Sequence, residues 1–442
     1  MTGEDPSASA RRRDRDRAAR VVVEYPTAQA GRIASRFALP TPIEAFDFAE
    51  KGNINQHTFL ILAGPPGARR EYLLQRINQQ VFTRPRSVMA SMIACMRAQR
   101  DSLARGLLPA GESWEVIELI PTHEGEPYLA LTDRRGANVW RLMVKIPEAR
   151  TYKRLSDAGC HEARLALAEQ AGRGLAVYGD LTAGMDTAGL ESPLPGYRDT
   201  RVYYDQLASV LAGSRGPEQA ERWLPQDPVV RESTQRHFLV HLKPRAYRCR
   251  VGDLDLRRFI DLALENEEFA MTLLREMEAA RIRTVAIHGD TKLDNFLFGA
   301  DTGRVKALVD LDTIMPHTWL ADWGDMVRSL VNVAGEKEED LSRVRVDLEI
   351  FRAVARGFLG TARAITDAEV ERMVDAVQII ALELGVRFLS DYLRGDSYFE
   401  LGPADPPDLN RTRARVQLSL FEQLRNHQDE MKAYIAGLRA AR

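Results

Sequence analysis

Apolar positions in the first third of the chain come in short alternating or continuous runs; from about residue 150 they recur at steps of three and four. "HTFLILAG" (57–64) and "EYLLQRI" (71–77) flank the turn-forming "GPPGARR" and predict a β-hairpin. "RPRSVMASMIACMRAQR" (84–100) sets Val88, Met92 and Cys95 at helical spacing. Strands are expected at "WEVIELIP" (114–121) and "PYLALTD" (127–133), and "VWRLMVKIPEA" (139–149) runs until its proline breaks regular structure.

Beyond this point the pattern is helical. In the stretch 160–181, Leu165, Ala168, Gly172, Leu175 and Gly179 fall at steps of three and four, and the small residues suggest close helix packing. The stretches 255–282, 344–362, 367–395 and 411–442 also read as helices, interrupted by a short β insertion from Val285. No repeat period is visible. The expected fold is α+β and bilobal. A polar, Arg/Asp-rich tail over 1–20, expected to be disordered, precedes a strand-rich lobe over 21–147 and a mostly helical lobe over 148–442. Ligands favour clefts between such lobes.

Length supports this division, since 442 residues are many for one core. A net charge of −2 gives no reason to expect a nucleic acid or an anionic membrane as partner. No apolar run approaches the roughly 20 residues of a spanning helix, and the opening stretch lacks the apolar segment of a signal peptide. Cys95, Cys160 and Cys249 are widely spaced and odd in number; no disulfide framework or CxxC metal site is legible, and a reducing cytoplasm fits best. Oligomeric state is left open.

The candidate chemistry lies in "VAIHGDTKLDNFLFGADTGRVKALVDLDTIMPH". Transfer of a γ-phosphoryl group needs a carboxylate near the attacking hydroxyl and oxygen ligands for Mg²⁺ on the phosphates. "HGDTKLDN" has the spacing of a kinase catalytic loop, H-x-D-x-x-x-x-N, with Asp290 as the base and Asn295 as a metal ligand. A second metal-binding Asp should follow a short hairpin, and Asp310 in "ALVDLDT" fits. On extended backbone Asp312 would face the same side, as a further ligand or a substrate contact. Lys292 could neutralise charge on the transferred group.

The block "HGDTKLDNFLF…VDLDTIMPHTWLADWGDMVR" resembles the aminoglycoside phosphotransferase and choline kinase superfamily. Within it, the block is most similar to the N-acetylhexosamine 1-kinase group, which phosphorylates the anomeric hydroxyl of a sugar. "YLLQRINQQVF", "LELGVRFLSDYLRGDSYF" and "RTRARVQL" match that group as well. The resemblance implies a protein-kinase-like fold, ATP as phosphoryl donor, and Mg²⁺. It supports Asp290, Asn295 and Asp310 in the roles given above. It also implies Arg76 as a bidentate phosphate donor where protein kinases carry a strand lysine. Asp322 in "ADWGD" would brace the catalytic loop and His288 would orient it. The segment 139–149 would be the interlobe hinge facing the adenine. Arg387 and Tyr398 match an Arg–Tyr pair that holds the sugar, with Asp290 meeting its hydroxyl.

Three local readings compete with these. Glu383, Arg387 and Asp391 could form an i, i+4, i+8 surface ion ladder. "PGYRDT" (195–200) carries Arg198 where the group usually has His, and an added cation would favour a more anionic or polar substrate. Arg387, Arg394, Arg411 and Arg413 argue against a cationic acceptor. The expected activity is that of an ATP- and Mg²⁺-dependent kinase acting on a small-molecule sugar. The alternatives are an amino-alcohol or aminoglycoside kinase and, in another class, a non-catalytic nucleotide-binding module.

Overall fold

The computed structural model describes residues 26–49, 54–55, 57–108, 110–133, 136–399, 401–402 and 404–440; the expected tail at 1–20 lies outside them. Contacts divide the chain into two compact units. One comprises Met1–Asn78 and Glu118–Lys145, the other Gln79–Ile117 and Ile146–Arg442. The helix expected at 84–100 thus groups with the second unit, and the passage from Lys145 to Ile146 falls inside the segment 139–149.

In the first unit, β1 (Ile43–Asp47), β2 (Thr58–Ala63), β3 (Arg70–Arg76), β4 (Leu129–Asp133) and β5 (Gly136–Val144) form an antiparallel sheet in the order β1-β2-β3-β5-β4. The predicted hairpin is β2–β3, closing at Ala63 opposite Arg70. Its turn needs Gly64: φ is 116°, and a Cβ there would lie 2.8 Å from the Ala68 carbonyl oxygen. Strand alternation buries Phe59, Ile61 and Ala63 of β2 with Tyr72 and Leu74 of β3, in one cluster with Ala30 and Ile33 of helix α1 (Thr27–Ala34). The strand expected at 114–121 does not form. Only Leu119 bridges Met143, because the segment changes units between Ile117 and Glu118 and its partners change with it: Glu115 N–H donates to the Lys306 carbonyl, Ile120 N–H to that of Leu142.

The second unit contains α2 (Pro85–Ala104), β6 (Ala149–Arg150), α3 (His161–Thr182) and α4 (Thr200–Leu211). After several short helices follow β7 (Val285–Ile287), β8 (Phe296–Gly299), β9 (Val305–Leu308) and β10 (Met315–His317). The chain then runs through α5 (Trp319–Val331), α6 (Leu348–Leu359), α7 (Met373–Arg394), α8 (Leu409–Asn426) and α9 (Gln428–Ala440). Its core is α3 against α6, with α5 and α8 against α7. Gly172 and Gly357 explain the first contact. A Cβ at Gly172 would lie 2.2 Å from the Val354 carbonyl oxygen, and one at Gly357 2.0 Å from that of Glu169. The stretch 255–282 is three helices, Leu254–Glu265, Glu267–Ala270 and Thr272–Glu278, rather than one. No helix among the described residues is long and apolar enough to cross a membrane. The three cysteines are free.

Candidate active site

β7 pairs with β10 and β8 with β9, which lays the loop 288–295 against the turn 309–313. Val309 ties them: its N–H donates to the Asn295 carbonyl (2.9 Å), and its carbonyl accepts from His288 Nε2 (2.8 Å). That bond places the proton of a neutral imidazole on Nε2 and leaves Nδ1 to accept the Asp290 N–H at 3.3 Å. The Thr313 hydroxyl donates to the His288 carbonyl at 2.7 Å. Gly289 has φ 83°, and a Cβ on it would lie 2.7 Å from the Thr313 carbonyl oxygen, so loop and turn meet backbone to backbone.

Asp322, in the first turn of α5, holds this loop from within the protein. Its carboxylate accepts the N–H groups of His288 (2.7 Å) and Gly289 (2.8 Å), and its carbonyl accepts the Thr291 hydroxyl (2.7 Å). Burial raises its carboxyl pKa despite the N–H groups and nearby positive charge that oppose the rise. Tyr178 packs against His288 in a T-shaped arrangement, at 5.8 Å between centroids.

Lys292 lies 2.9 Å from Asp290 Oδ2. Burial works against its ammonium, but Asp290, Asp294 and Asp310 outweigh this and hold its pKa well above the usual lysine range. Lys292 thus pairs directly with Asp290 and sits in the negative field of Asp294 and Asp310. Burial also raises Asp294. The Asn295 amide donates to the Asp290 carbonyl (2.7 Å) and carboxylate (3.2 Å), which turns Asn295 Oδ1 away from Asp290. Asp310 is left-handed, at φ 63° and ψ 55°, a conformation Asp tolerates better than most residues. The turn Leu311–Thr313 follows it directly, so the extended backbone that was to align Asp312 with Asp310 is absent, and Asp312 is only 2% exposed.

A second cluster joins this loop through Tyr197 and Arg198, neither of which sequence reasoning gave a role there. The Tyr197 hydroxyl donates to the Gly289 carbonyl at 2.9 Å, and Arg198 donates to the same oxygen at 3.2 Å. Burial pushes the Tyr197 phenol up to about 12. Arg198 is buried and its charge is matched by Asp325 (3.0 Å) and Glu383 (3.5 Å). Asp325 is held down to about 2: burial alone would raise it, but Arg328 and Arg198 prevail. Arg198 is thus an internal strut and not an added cation facing a substrate. The signal available in sequence was the turn glycine of "PGYRDT", Gly196 at φ 80°.

Arg387 and Tyr398 do meet, at 3.3 Å between guanidinium and hydroxyl. The ion ladder does not form. Glu383 accepts from Thr200 (3.0 Å), and the fully buried Asp391 accepts the N–H groups of Ser397 (3.0 Å), Tyr398 (2.9 Å) and Phe399 (2.8 Å). Arg394 and Arg411 are likewise committed to Asp391 (2.9 Å) and Asp253 (2.7 Å), so they do not count against a cationic acceptor. Arg76 ends β3 in the first unit, opposite Trp140 of β5.

The model of the phosphotransferase enzyme family (APH) matches residues 47–344. The chain belongs to that family. The likeness of fold extends beyond the matched residues. A solved microcompartment-associated aminopropanol kinase is 12% identical, with a TM-score of 0.53, 92% of this chain and 99% of that one being covered. An amicoumacin kinase, hAmiN, in complex with AMP-PNP, Ca²⁺ and amicoumacin, is 13% identical at a TM-score of 0.51, covering 90% of this chain and 94% of that one. At these identities the likeness is one of fold: the small antiparallel sheet and the large helical portion are those of a kinase-like APH protein.

Proposed function

We propose that this APH phosphotransferase uses ATP and Mg²⁺ to phosphorylate a sugar hydroxyl, the anomeric C1 hydroxyl of an N-acetylhexosamine or related hexose. The single observation that carries the phosphoryl-transfer reading is the meeting of the 288–295 loop with the 309–313 turn through Val309. It favours a reaction centre made of Asp290, Asn295 and Asp310. Asp290 would orient the acceptor hydroxyl and take its proton. Lys292 would offset charge on the transferred phosphoryl group. Asp322 and His288 would keep the loop in register. Arg76 would contact the donor phosphates, and Arg387 with Tyr398 would hold the sugar.

The donor set suits Mg²⁺. Asn295 Oδ1, turned from Asp290, and the Asp310 carboxylate are hard oxygen donors, and Mg²⁺ needs only one or two protein ligands besides phosphate oxygens. Among the described residues no three His, Cys, Asp or Glu converge as a dedicated metal cage. Bound Mg²⁺ would supply charge neutralisation on the phosphates. Asp312 is given no metal role, since the alignment that suggested it is absent.

A second reading, an amino-alcohol kinase, draws on the fold likeness to the aminopropanol kinase. A phosphate-transfer assay across hexoses, amino sugars and amino alcohols separates the two, with phosphorus NMR on each product. A phosphate at C1 of a hexose is expected; a phosphate at another oxygen rejects the 1-kinase reading, and transfer confined to amino alcohols rejects the sugar.

A further inference from the structure

Four aromatic rings surround the guanidinium of Arg387. Its Cζ lies 4.8 Å from the ring centroid of Tyr203, 5.1 Å from Tyr197, 5.2 Å from Phe399 and 5.6 Å from Tyr398. Boxes of this kind recognise cations, above all quaternary ammonium groups, through the negative ring faces. Here the cation is supplied by the chain. We propose that Arg387 occupies an aromatic cage that would otherwise receive a substrate ammonium group, and so restricts the acceptor to neutral or anionic molecules rich in hydrogen-bond-accepting oxygens. The inference rests on the acceptor site assigned above.

The cage is built in place. Tyr203 is buried and its hydroxyl accepts the Arg198 N–H at 2.9 Å. Tyr197 is tied to the Gly289 carbonyl, which puts one wall beside the loop of Asp290. Phe399 packs on Phe388 at 4.4 Å between centroids, and the Tyr398 N–H is held by Asp391. Tyr398, 38% exposed, is the wall open to an incoming molecule.

Charge leads the same way. Glu383, one turn before Arg387 on α7, is engaged by Arg198 and Thr200, and Asp325 by Arg198 and Arg328. A guanidinium cannot shed its proton near neutrality, so the cage carries a permanent positive charge. An ammonium group arriving beside it meets like charge and finds the ring faces taken. A hydroxyl, acetamide or carboxylate oxygen meets N–H donors in a fixed plane. Of the arginines counted against a cationic acceptor, Arg394 and Arg411 are committed to Asp391 and Asp253, and Arg387 would do the excluding.

The test compares the full-length protein with Arg387→Lys, Arg387→Met and Arg387→Gln, using tetramethylammonium as probe. Binding is read by calorimetry and by inhibition of phosphate transfer, and folding by thermal unfolding. The unaltered protein and the lysine variant should show no binding at about 10 mM probe, whereas the two neutral variants should bind at least about tenfold more tightly. The inference is overturned if the unaltered protein binds the probe as well as the neutral variants do, or if choline outcompetes every neutral or anionic acceptor. It is overturned equally if folded Met and Gln variants gain no affinity. Should one neutral variant fail to fold, the other decides. Phosphorylation of a neutral hexose away from C1 would remove the 1-kinase reading and leave this one standing.

Discussion

Two loops of the second unit are each organised by one buried aspartate, and the difference between them separates scaffold from chemistry. Asp391 on α7 gathers three consecutive N–H groups, 397 to 399, and is neutralised by Arg394 at 2.9 Å. Asp322 on α5 gathers the N–H groups of His288 and Gly289, and burial raises its carboxyl pKa even so. The first loop is pinned by an ion pair that would hold whatever the acceptor. The second is held at Asp322 by main-chain N–H groups, which fix the direction of the Asp290 peptide, while the nearest guanidinium, that of Arg198, meets the Gly289 carbonyl and pairs with Asp325 and Glu383.

The sharpest break in this contrast is Asp290→Asn. It should lower kcat by roughly 10² to 10⁴ while leaving the unfolding midpoint in urea unchanged, the usual share of a general base. A variant turning over at the normal rate removes Asp290 from that role. The two braces should then part company. Asp391→Ala, which strands Arg394, should cost about 3–5 kcal/mol of stability by chemical denaturation. Asp322→Asn should lose about 1–2 kcal/mol, yet reduce kcat about 10²-fold through a displaced loop. Equal stability losses with equal rates would erase the distinction.

His317 offers a gentler probe, since its Nε2 bonds the Arg198 carbonyl (3.1 Å) behind the strut that reaches Gly289. Burial, with Arg198 nearby, lowers its pKa to about 4. An unfolded histidine titrates near 6.5, so between those values the unfolded chain binds more protons and stability falls as pH drops. The loss should approach about 3 kcal/mol by pH 4 and shrink in His317→Gln, as urea titrations at several pH values would register. Smallest is Tyr197→Phe. It removes one of two donors to the Gly289 carbonyl, and a change of about 1 kcal/mol, some fivefold in kcat, is expected from steady-state rates.

What could be read from the chain followed the range of the interaction. The β2–β3 hairpin was legible because one turn and two alternating runs determine it locally. The HGD loop, Asn295 and Asp310 were legible as spacing, and the joining of the loop to the turn followed from a short hairpin. The extended backbone expected through Asp312 does not form, because nothing in "VDLDT" reveals that Asp310 adopts a left-handed backbone. Arg198 was misread because its carboxylate partners stand 127 and 185 residues further on, at Asp325 and Glu383. The run 114–121 looked like a strand by composition, but strands need a partner along their length, and this one changes units midway.

The glycine contact between α3 and α6 reaches further than packing. Val354 and Glu169 carbonyls stand where the missing methyl groups of Gly172 and Gly357 would be, so the helices have no slack at that crossing. Tyr178, six positions along α3 from Gly172, packs T-shaped against His288. A single added carbon at either glycine would pry the helices apart and tilt the rod on which the histidine leans, so residues that never see a nucleotide would set the aim of the carboxylate beside it.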